Sequence, residues 1–167
     1  MKGTIKEQLP GRVVLFWAGS HRGLAEHCVE WAEQALMDGV ESPTLSWVAG
    51  LTRPYSASEV EEYLRKVVIE LGIEVPTGMD AIYVYARELA TEMIESPDRI
   101  PENLRLLGDL ALEYDDEEDL QEFSLLRWAY DDLQIVEYQD YWPGMDRNNY
   151  PEVVARECRT WLANLDT

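Results

Sequence analysis

The sequence holds few of the side chains that enzymes use for catalysis and metal binding. Only two His and two Cys occur among its 167 residues. Basic residues are scarce as well, 14 against 33 acidic ones, which gives a formal net charge of −19 at pH 7. Carboxylates are so numerous that no pair stands out as catalytic. We therefore expect a binding protein rather than an enzyme, with no cofactor and no metal.

Long hydrophobic runs are also missing. The longest uninterrupted apolar stretch, VVLFWA at residues 13–18, is far shorter than the ~20 residues that cross a bilayer. The first ten residues lack the apolar region of a signal peptide. We expect a cytoplasmic protein, and its negative charge should repel nucleic acids and anionic membranes. The natural partner for such a chain is a basic protein, although acidity can also serve solubility alone.

Three segments contain residue types that bind ions in proteins, but each departs from the sequence pattern that such a site requires. Residues 19–23, GSHRG, precede a predicted helix but lack the lysine and the glycine spacing of a phosphate loop. His27 and Glu30 can share a helical face, yet two ligands are too few for a structural zinc. In the acidic run at residues 115–119 the carboxylates are consecutive, and Leu120 stands where a calcium loop needs glycine. We expect an ordinary loop and helix start at the first, a surface histidine beside a carboxylate at the second, and a solvated acidic turn or a contact patch for a basic partner at the third.

Apolar residues recur at helical spacing along most of the chain. The clearest stripe contains Leu24, Cys28, Trp31 and Ala35, and Cys158 lies on a similar stripe near the end. Both cysteines are therefore expected to be reduced and buried on helices. Further stripes follow Val60, Ile82, Leu104, Phe123 and Val154.

Capping residues mark where these helices begin and end. Ser56 followed by Glu59 has the spacing of a capping box, and Gly39 and Gly72 stand where left-handed caps end helices. Ser42 and Pro43 have the order of a helix N-cap and first turn.

These signals together predict a single all-α domain over residues 1–167, a bundle or stacked hairpins of about seven helices. The run at residues 13–18 fits either a short N-terminal strand or a helix, because periodicity cannot decide at this length.

Negative charge is concentrated in the second half of the sequence. Residues 1–100 carry 16 acidic and 9 basic side chains, whereas residues 101–167 carry 17 and 5. Two segments there are candidates for binding a basic partner, through ion pairs, cation–π contacts and aromatic anchors. The alternative for the first segment is a solvated acidic turn. The alternative for the second is a loop whose rings fold back onto the helices. The predicted partner-binding residues are Asp115, Asp116, Glu117, Glu118, Asp119, Tyr138, Asp140, Tyr141, Trp142 and Asp146.

In overall character the chain resembles the immunity proteins of bacterial polymorphic toxins, which are small, acidic, Trp-rich and without a catalytic motif. The segment SPTL at residues 42–45, continuing to AGL at 49–51, is similar to one in small bacterial proteins of unassigned function. The resemblance implies an immunity- or antitoxin-type inhibitor of a basic toxin, such as a nuclease, whose cationic cleft an acidic surface can occlude.

Two other functions are compatible with this sequence. A phage mimic of nucleic acid, directed against restriction or CRISPR enzymes, would carry the same charge in a regular array along one face. Here the acids mostly alternate with apolar positions, which slightly disfavours a mimic. A helical adaptor with no inhibitory role is the other alternative.

Overall fold

The computed structural model describes residues 9–21 and 23–166. None of these residues lies in a strand, which confirms the all-α prediction. They form eight α-helices: α1 (Gly11–Trp17), α2 (Ala25–Met37), α3 (Leu45–Ala49), α4 (Ala57–Leu71), α5 (Gly78–Glu95), α6 (Ile100–Glu113), α7 (Glu118–Ile135) and α8 (Tyr150–Leu165). A short 3₁₀ turn, Pro97–Arg99, precedes α6.

The chain divides into two compact units, with the boundary inside α5. The first unit extends to Glu88 and the second begins at Leu89. The first holds 13 acidic and 8 basic residues, and the second holds 20 and 6. Their formal charges are therefore −5 and −14, so most of the negative charge belongs to the second unit.

The ambiguous run at residues 13–18 is helical, as the main part of α1. Val13, Val14, Leu15 and Phe16 are all buried, so the segment has no polar face from which a helical period could be read. Gly11 permits the close approach of α1 to α5, because a Cβ there would lie 2.8 Å from the Cα of Tyr85. Packing requires glycine at this position, and the hydrophobic periodicity of the sequence gives no sign of that requirement.

Helices α2, α3 and α4 pack together in the first unit. The predicted stops at Gly39 and Gly72 are confirmed, with φ of 79° and 64°. The Ser56 side chain accepts a hydrogen bond from the Glu59 amide at 3.5 Å, as the capping box predicts.

The start predicted at Ser42 is wrong, because α3 begins at Leu45. Ser42 instead donates its hydroxyl to Glu70 of α4, and Thr44 donates to the same carboxylate from its amide at 3.1 Å and its hydroxyl at 2.5 Å. These bonds lower the pKa of Glu70, with Ser42 the largest cause. The segment before α3 is thus fixed by a carboxylate on a neighbouring helix.

The second unit packs α6 against α7 and α7 against α8. Asn103 on α6 is fully buried and donates to the Leu89 carbonyl at 3.2 Å and to Glu92 at 2.8 Å, which ties α6 to the end of α5. Phe123 and Trp161 meet edge to face, with ring centroids 5.1 Å apart. This contact joins α7 to α8 in the core.

The two cysteines are free thiols, each buried within its own unit, as predicted. Burial raises the pKa of Cys28 to about 12. Burial is also the main cause that raises the pKa of Cys158 to about 12, helped by nearby Glu157. Since the thiolate is the reactive form, neither cysteine has the environment of a nucleophile.

Among the described residues, no helix combines the length and apolarity needed to span a bilayer.

Candidate partner-binding surface

The acidic turn, Asp115, Asp116, Glu117, Glu118 and Asp119, connects α6 to α7. The sequence placed the whole run between two helices, but Glu118 and Asp119 form the first turn of α7. Negative side chains there stabilise the helix, because the amino end of a helix carries partial positive charge. Part of the acidic run therefore has a structural role.

The acidic turn is held in place through its backbone. The Trp161 indole donates to the Asp119 carbonyl at 2.8 Å, and Gln121 donates to the Ala111 carbonyl at 2.9 Å. Asp115, Asp116, Glu118 and Asp119 are exposed. Within the described part of the chain, none of these four carboxylates pairs with a basic side chain. The turn thus presents a fixed cluster of uncompensated negative charge.

The aromatic loop, residues 137–149, connects α7 to α8 and is held together by Gln139. Its side-chain oxygen accepts from the Trp142 amide at 2.7 Å. Its side-chain nitrogen donates to the carbonyls of Trp142 and Met145 at 2.6 and 2.9 Å. A single side chain therefore closes the loop on itself and sets the position of Trp142.

Two further residues attach the aromatic loop to the helices on either side. The Asp146 carboxylate accepts from the amides of Asn148 and Asn149 at 2.7 and 3.0 Å, just before α8. Arg147 donates to the carbonyl of Leu133 near the end of α7 and pairs with Glu137 at 2.5 Å. Asp146, predicted as a partner-binding residue, thus already serves to order the loop.

Four of the predicted residues, Tyr138, Asp140, Trp142 and Asp146, line a pocket of about 420 Å³ in this loop. Tyr138 donates its hydroxyl to Asp140, and this bond is the main cause that raises the pKa of Tyr138. The phenol therefore stays neutral at pH 7. A pocket that combines aromatic rings with carboxylates is chemically suited to a cationic side chain.

The rings of this loop do not all fold back onto the helices. Tyr138 is 65% exposed and Tyr141 is 45% exposed, whereas Trp142 is half-buried. Tyr141 lies against Trp128 of α7, with ring centroids 5.6 Å apart, and Trp128 is itself 39% exposed. The loop thus extends an aromatic surface that begins on the helix.

The structure does not bring the two predicted segments together. The acidic turn lies at the start of α7 and the aromatic loop at its end. At 1.5 Å per residue the two are separated by roughly 26 Å along the helix. A partner that contacts both must therefore extend along α7.

Sequence reasoning missed the residues between these two segments. Leu125, Trp128 and Ile135 are large apolar side chains of α7 that remain exposed. The sequence prediction for this helix includes only the stripe through Phe123 and omits a second apolar stripe on the same helix. The sequence does contain a signal for this stripe. When Gln121 and Asp132 are included, successive positions are separated alternately by four and three residues. We call these five positions the outer face of α7.

No described group of three or more His, Cys, Asp and Glu side chains is arranged to hold a metal ion. His21 lies 3.6 Å from Glu61, and His27 lies 3.5 Å from Glu30. Both are ordinary histidine–carboxylate contacts within the first unit.

Comparisons with protein-family models, curated proteins and solved structures find no match to this chain. Its function is therefore inferred from the geometry of these surfaces.

Proposed function

We propose that this protein binds a basic protein through its second unit and neutralises it, in the manner of an immunity protein that inhibits a toxin. The observation that carries the proposal is the pocket in the aromatic loop, where Tyr138 and Trp142 lie beside the carboxylate of Asp140. Such a pocket takes an Arg or Lys side chain, because both the ring faces and the carboxylate attract a cation.

The charge of the second unit supports the same kind of partner. Its net charge is −14. The four carboxylates of the acidic turn that pair with no basic side chain among the described residues add to the field at one end of α7. Complementary charge accelerates the encounter of two proteins and suppresses wrong partners. A basic protein would be steered towards this unit and then anchored by its exposed rings.

Binding would neutralise the toxin by covering its substrate-binding cleft. A toxin that acts on nucleic acid presents a cationic cleft to its substrate. The anionic surface of the second unit would compete with nucleic acid for that cleft. Because the aromatic loop is already ordered, it loses little conformational entropy on binding. The chain then needs no catalytic residue of its own to inhibit the toxin.

The test starts with affinity capture from a lysate of the source organism. Immobilised wild-type chain is compared with Asp140→Arg, which reverses a charge in the pocket. Glu74→Arg is the matched control, since it makes the same change at an exposed position of the first unit. We expect a basic protein to be retained by the wild type and Glu74→Arg and lost from Asp140→Arg.

Co-expression then tests neutralisation. The captured protein should arrest growth when expressed alone and should be harmless beside the wild-type chain but not beside Asp140→Arg. A captured protein whose activity is unchanged by the chain would support the adaptor alternative and refute the inhibitory role. Capture of a restriction or CRISPR enzyme, reversed by competing DNA, would favour nucleic-acid mimicry instead.

A further inference from the structure

We propose that the outer face of α7 docks a cationic amphipathic helix. This inference rests on the proposed function and specifies the part of the basic partner that makes the main contact. The partner's helix would lie along α7, with apolar residues on Leu125, Trp128 and Ile135 and a Lys or Arg opposite Asp132.

The first argument is the geometry of the face. Gln121, Leu125, Trp128, Asp132 and Ile135 are separated by four, three, four and three residues. This is the spacing by which one helix packs along another. At 3.6 residues per turn the five positions fall within an arc of about 80°.

The apolar positions of this face are directed away from the core, whereas the Gln121 side chain turns to the Ala111 carbonyl of α6. Leu120, Phe123, Leu126, Ala129 and Leu133 of the same helix are buried and occupy its other side. Ile135 is 78% exposed, and Leu125 and Trp128 are exposed as well. α7 thus has a second apolar stripe that stays exposed, with Tyr141 packed on part of it at Trp128.

The second argument is charge. Asp132 lies within the outer face, between Trp128 and Ile135, whereas the neighbouring Asp131 is paired with Arg127 at 3.6 Å. Tyr141 packs on Trp128, yet within the described residues no Arg or Lys lies over either ring. An apolar stripe interrupted by a carboxylate and bordered by open aromatic rings is complementary to a helix that carries a cation among its apolar residues.

The same charges oppose a second copy of this chain as the occupant. Two copies packed face to face would bring together two units of net charge −14, and like charges across an interface are unfavourable. An isologous contact about Asp132 would also place two carboxylates near each other. The cationic helix satisfies both the apolar and the charged positions of the face.

A synthetic peptide tests this directly without the natural partner. The probe has about 21 residues in three heptads, with Leu at the a and d positions except for one central Lys, and Lys at e and g. A fluorescent label reports binding by anisotropy, at concentrations where the peptide is monomeric. Circular dichroism reports whether the peptide becomes helical on binding. We expect binding to the full chain at physiological salt with a gain of helix.

Ile135→Glu separates apolar docking from general attraction. This change adds a negative charge, so attraction alone would strengthen binding of a cationic peptide. We expect binding at least about tenfold weaker, as when an interface anchor is lost. Ile69→Glu is the control, because Ile69 on α4 is also 78% exposed. It should bind as well as the wild type or slightly better.

Asp132→Arg tests the position of the cation. It should weaken binding by about tenfold or more, and a peptide with Glu in place of the central Lys should recover most of that loss. Glu122→Arg, the same charge change on α7 outside the outer face, should be weakened much less and should not be rescued by the Glu peptide.

Equal weakening by Ile135→Glu and Ile69→Glu, or binding without a gain of helix, would overturn the inference. Sedimentation of the wild type as a dimer that Ile135→Glu dissociates would assign the face to a second copy and overturn it as well. These outcomes leave the proposed function standing, since capture and neutralisation through the pocket at Asp140 are measured separately.

Discussion

Each unit of the molecule carries a Trp–Tyr pair at its surface, and the two pairs differ in their surroundings. In the first unit Trp47 and Tyr63 have ring centroids 5.7 Å apart. The Lys66 ammonium lies over both, 5.8 Å from the first centroid and 5.6 Å from the second. In the second unit Trp128 and Tyr141 are 5.6 Å apart, and no cation within residues 89–166 lies over them.

The difference extends to the carboxylates around each pair. Lys66 also pairs with Glu62 at 2.9 Å, so this one cation serves both rings and a carboxylate. The second unit has 20 acidic residues and only 6 basic ones, which leaves both its rings and many of its acids without such a partner. The first ring pair has a cation from its own unit, whereas the proposed basic partner would supply one to the second.

The largest expected effect is on the stability of the first unit. Trp31→Ala should lower the free energy of unfolding by about 3–5 kcal/mol, because it removes a large buried side chain of α2. Chemical denaturation followed by circular dichroism measures this. Tyr138→Ala in the second unit should change stability by no more than about 1 kcal/mol, since an exposed ring contributes little to the core. Equal losses would abolish the distinction between structural and exposed aromatics.

The next effect concerns anchoring in the second unit. Tyr141→Ala or Trp142→Ala should cost about 2 kcal/mol of binding free energy to the captured partner, mainly through faster dissociation. Surface plasmon resonance separates the two rate constants. Tyr63→Ala, in the pair already served by Lys66, is the matched control and should leave dissociation unchanged. Wild-type kinetics for both loop variants would move the interface to the first unit.

Steering should be affected separately from anchoring. Converting Asp115, Asp116, Glu117, Glu118 and Asp119 to amides should slow association by about tenfold at low salt and flatten its salt dependence. Dissociation should change little, because rim charges act mainly on the encounter. Stopped-flow association over a range of salt concentrations measures this. An unchanged salt slope would show that the acidic turn plays no part in recognition.

A smaller effect tests the internal cation itself. Lys66→Met removes the ammonium over Trp47 and Tyr63 and should cost about 0.5–1 kcal/mol of stability. Glu62→Gln removes only the ion pair and should cost less, about 0.3–0.5 kcal/mol for an i,i+4 helix pair. Thermal denaturation of the two variants compares them. If the two variants lose the same free energy of unfolding, the contact of Lys66 with the rings does not contribute to stability.

The smallest effect depends on pH and again lies in the first unit. The hydrogen bonds from Ser42 and Thr44 hold the pKa of Glu70 below its ordinary value of 4.5. The native state therefore binds fewer protons there than the unfolded chain, and this stabilisation is present above pH 4.5 and lost as the pH falls through the lowered pKa. Glu70→Gln should reduce the melting temperature at pH 7 more than Glu74→Gln does. The difference should shrink on acidification, and a constant difference would contradict it.

Local signals were sufficient to predict most helices of this fold. The Ser56 cap and the glycines at 39 and 72 act within one or two turns, so the sequence records them directly. The placement of α1 could not be predicted in this way. Its helical state is supported by the approach of Gly11 to Tyr85, a contact between residues far apart in the chain.

The candidate surface could be predicted only in pieces. The acids and rings were visible in the sequence, but their separation by the length of α7 was not. The role of Asp146 was also hidden, because a carboxylate that accepts from the amides of Asn148 and Asn149 has the same sequence appearance as one that is free to bind. Pairing between side chains and backbone is decided by the folded loop.

The attachment of the aromatic loop through Arg147 has a consequence for how this protein can diversify. Besides its pair with Glu137, Arg147 donates to the carbonyls of Leu133 and Gln134, which every amino acid supplies. The side chains at the end of α7 can therefore change without releasing the loop. The rings at 138 and 141 can also change without moving the backbone of the loop. Recognition could be retargeted to a new partner by substituting a few exposed positions on an otherwise constant scaffold.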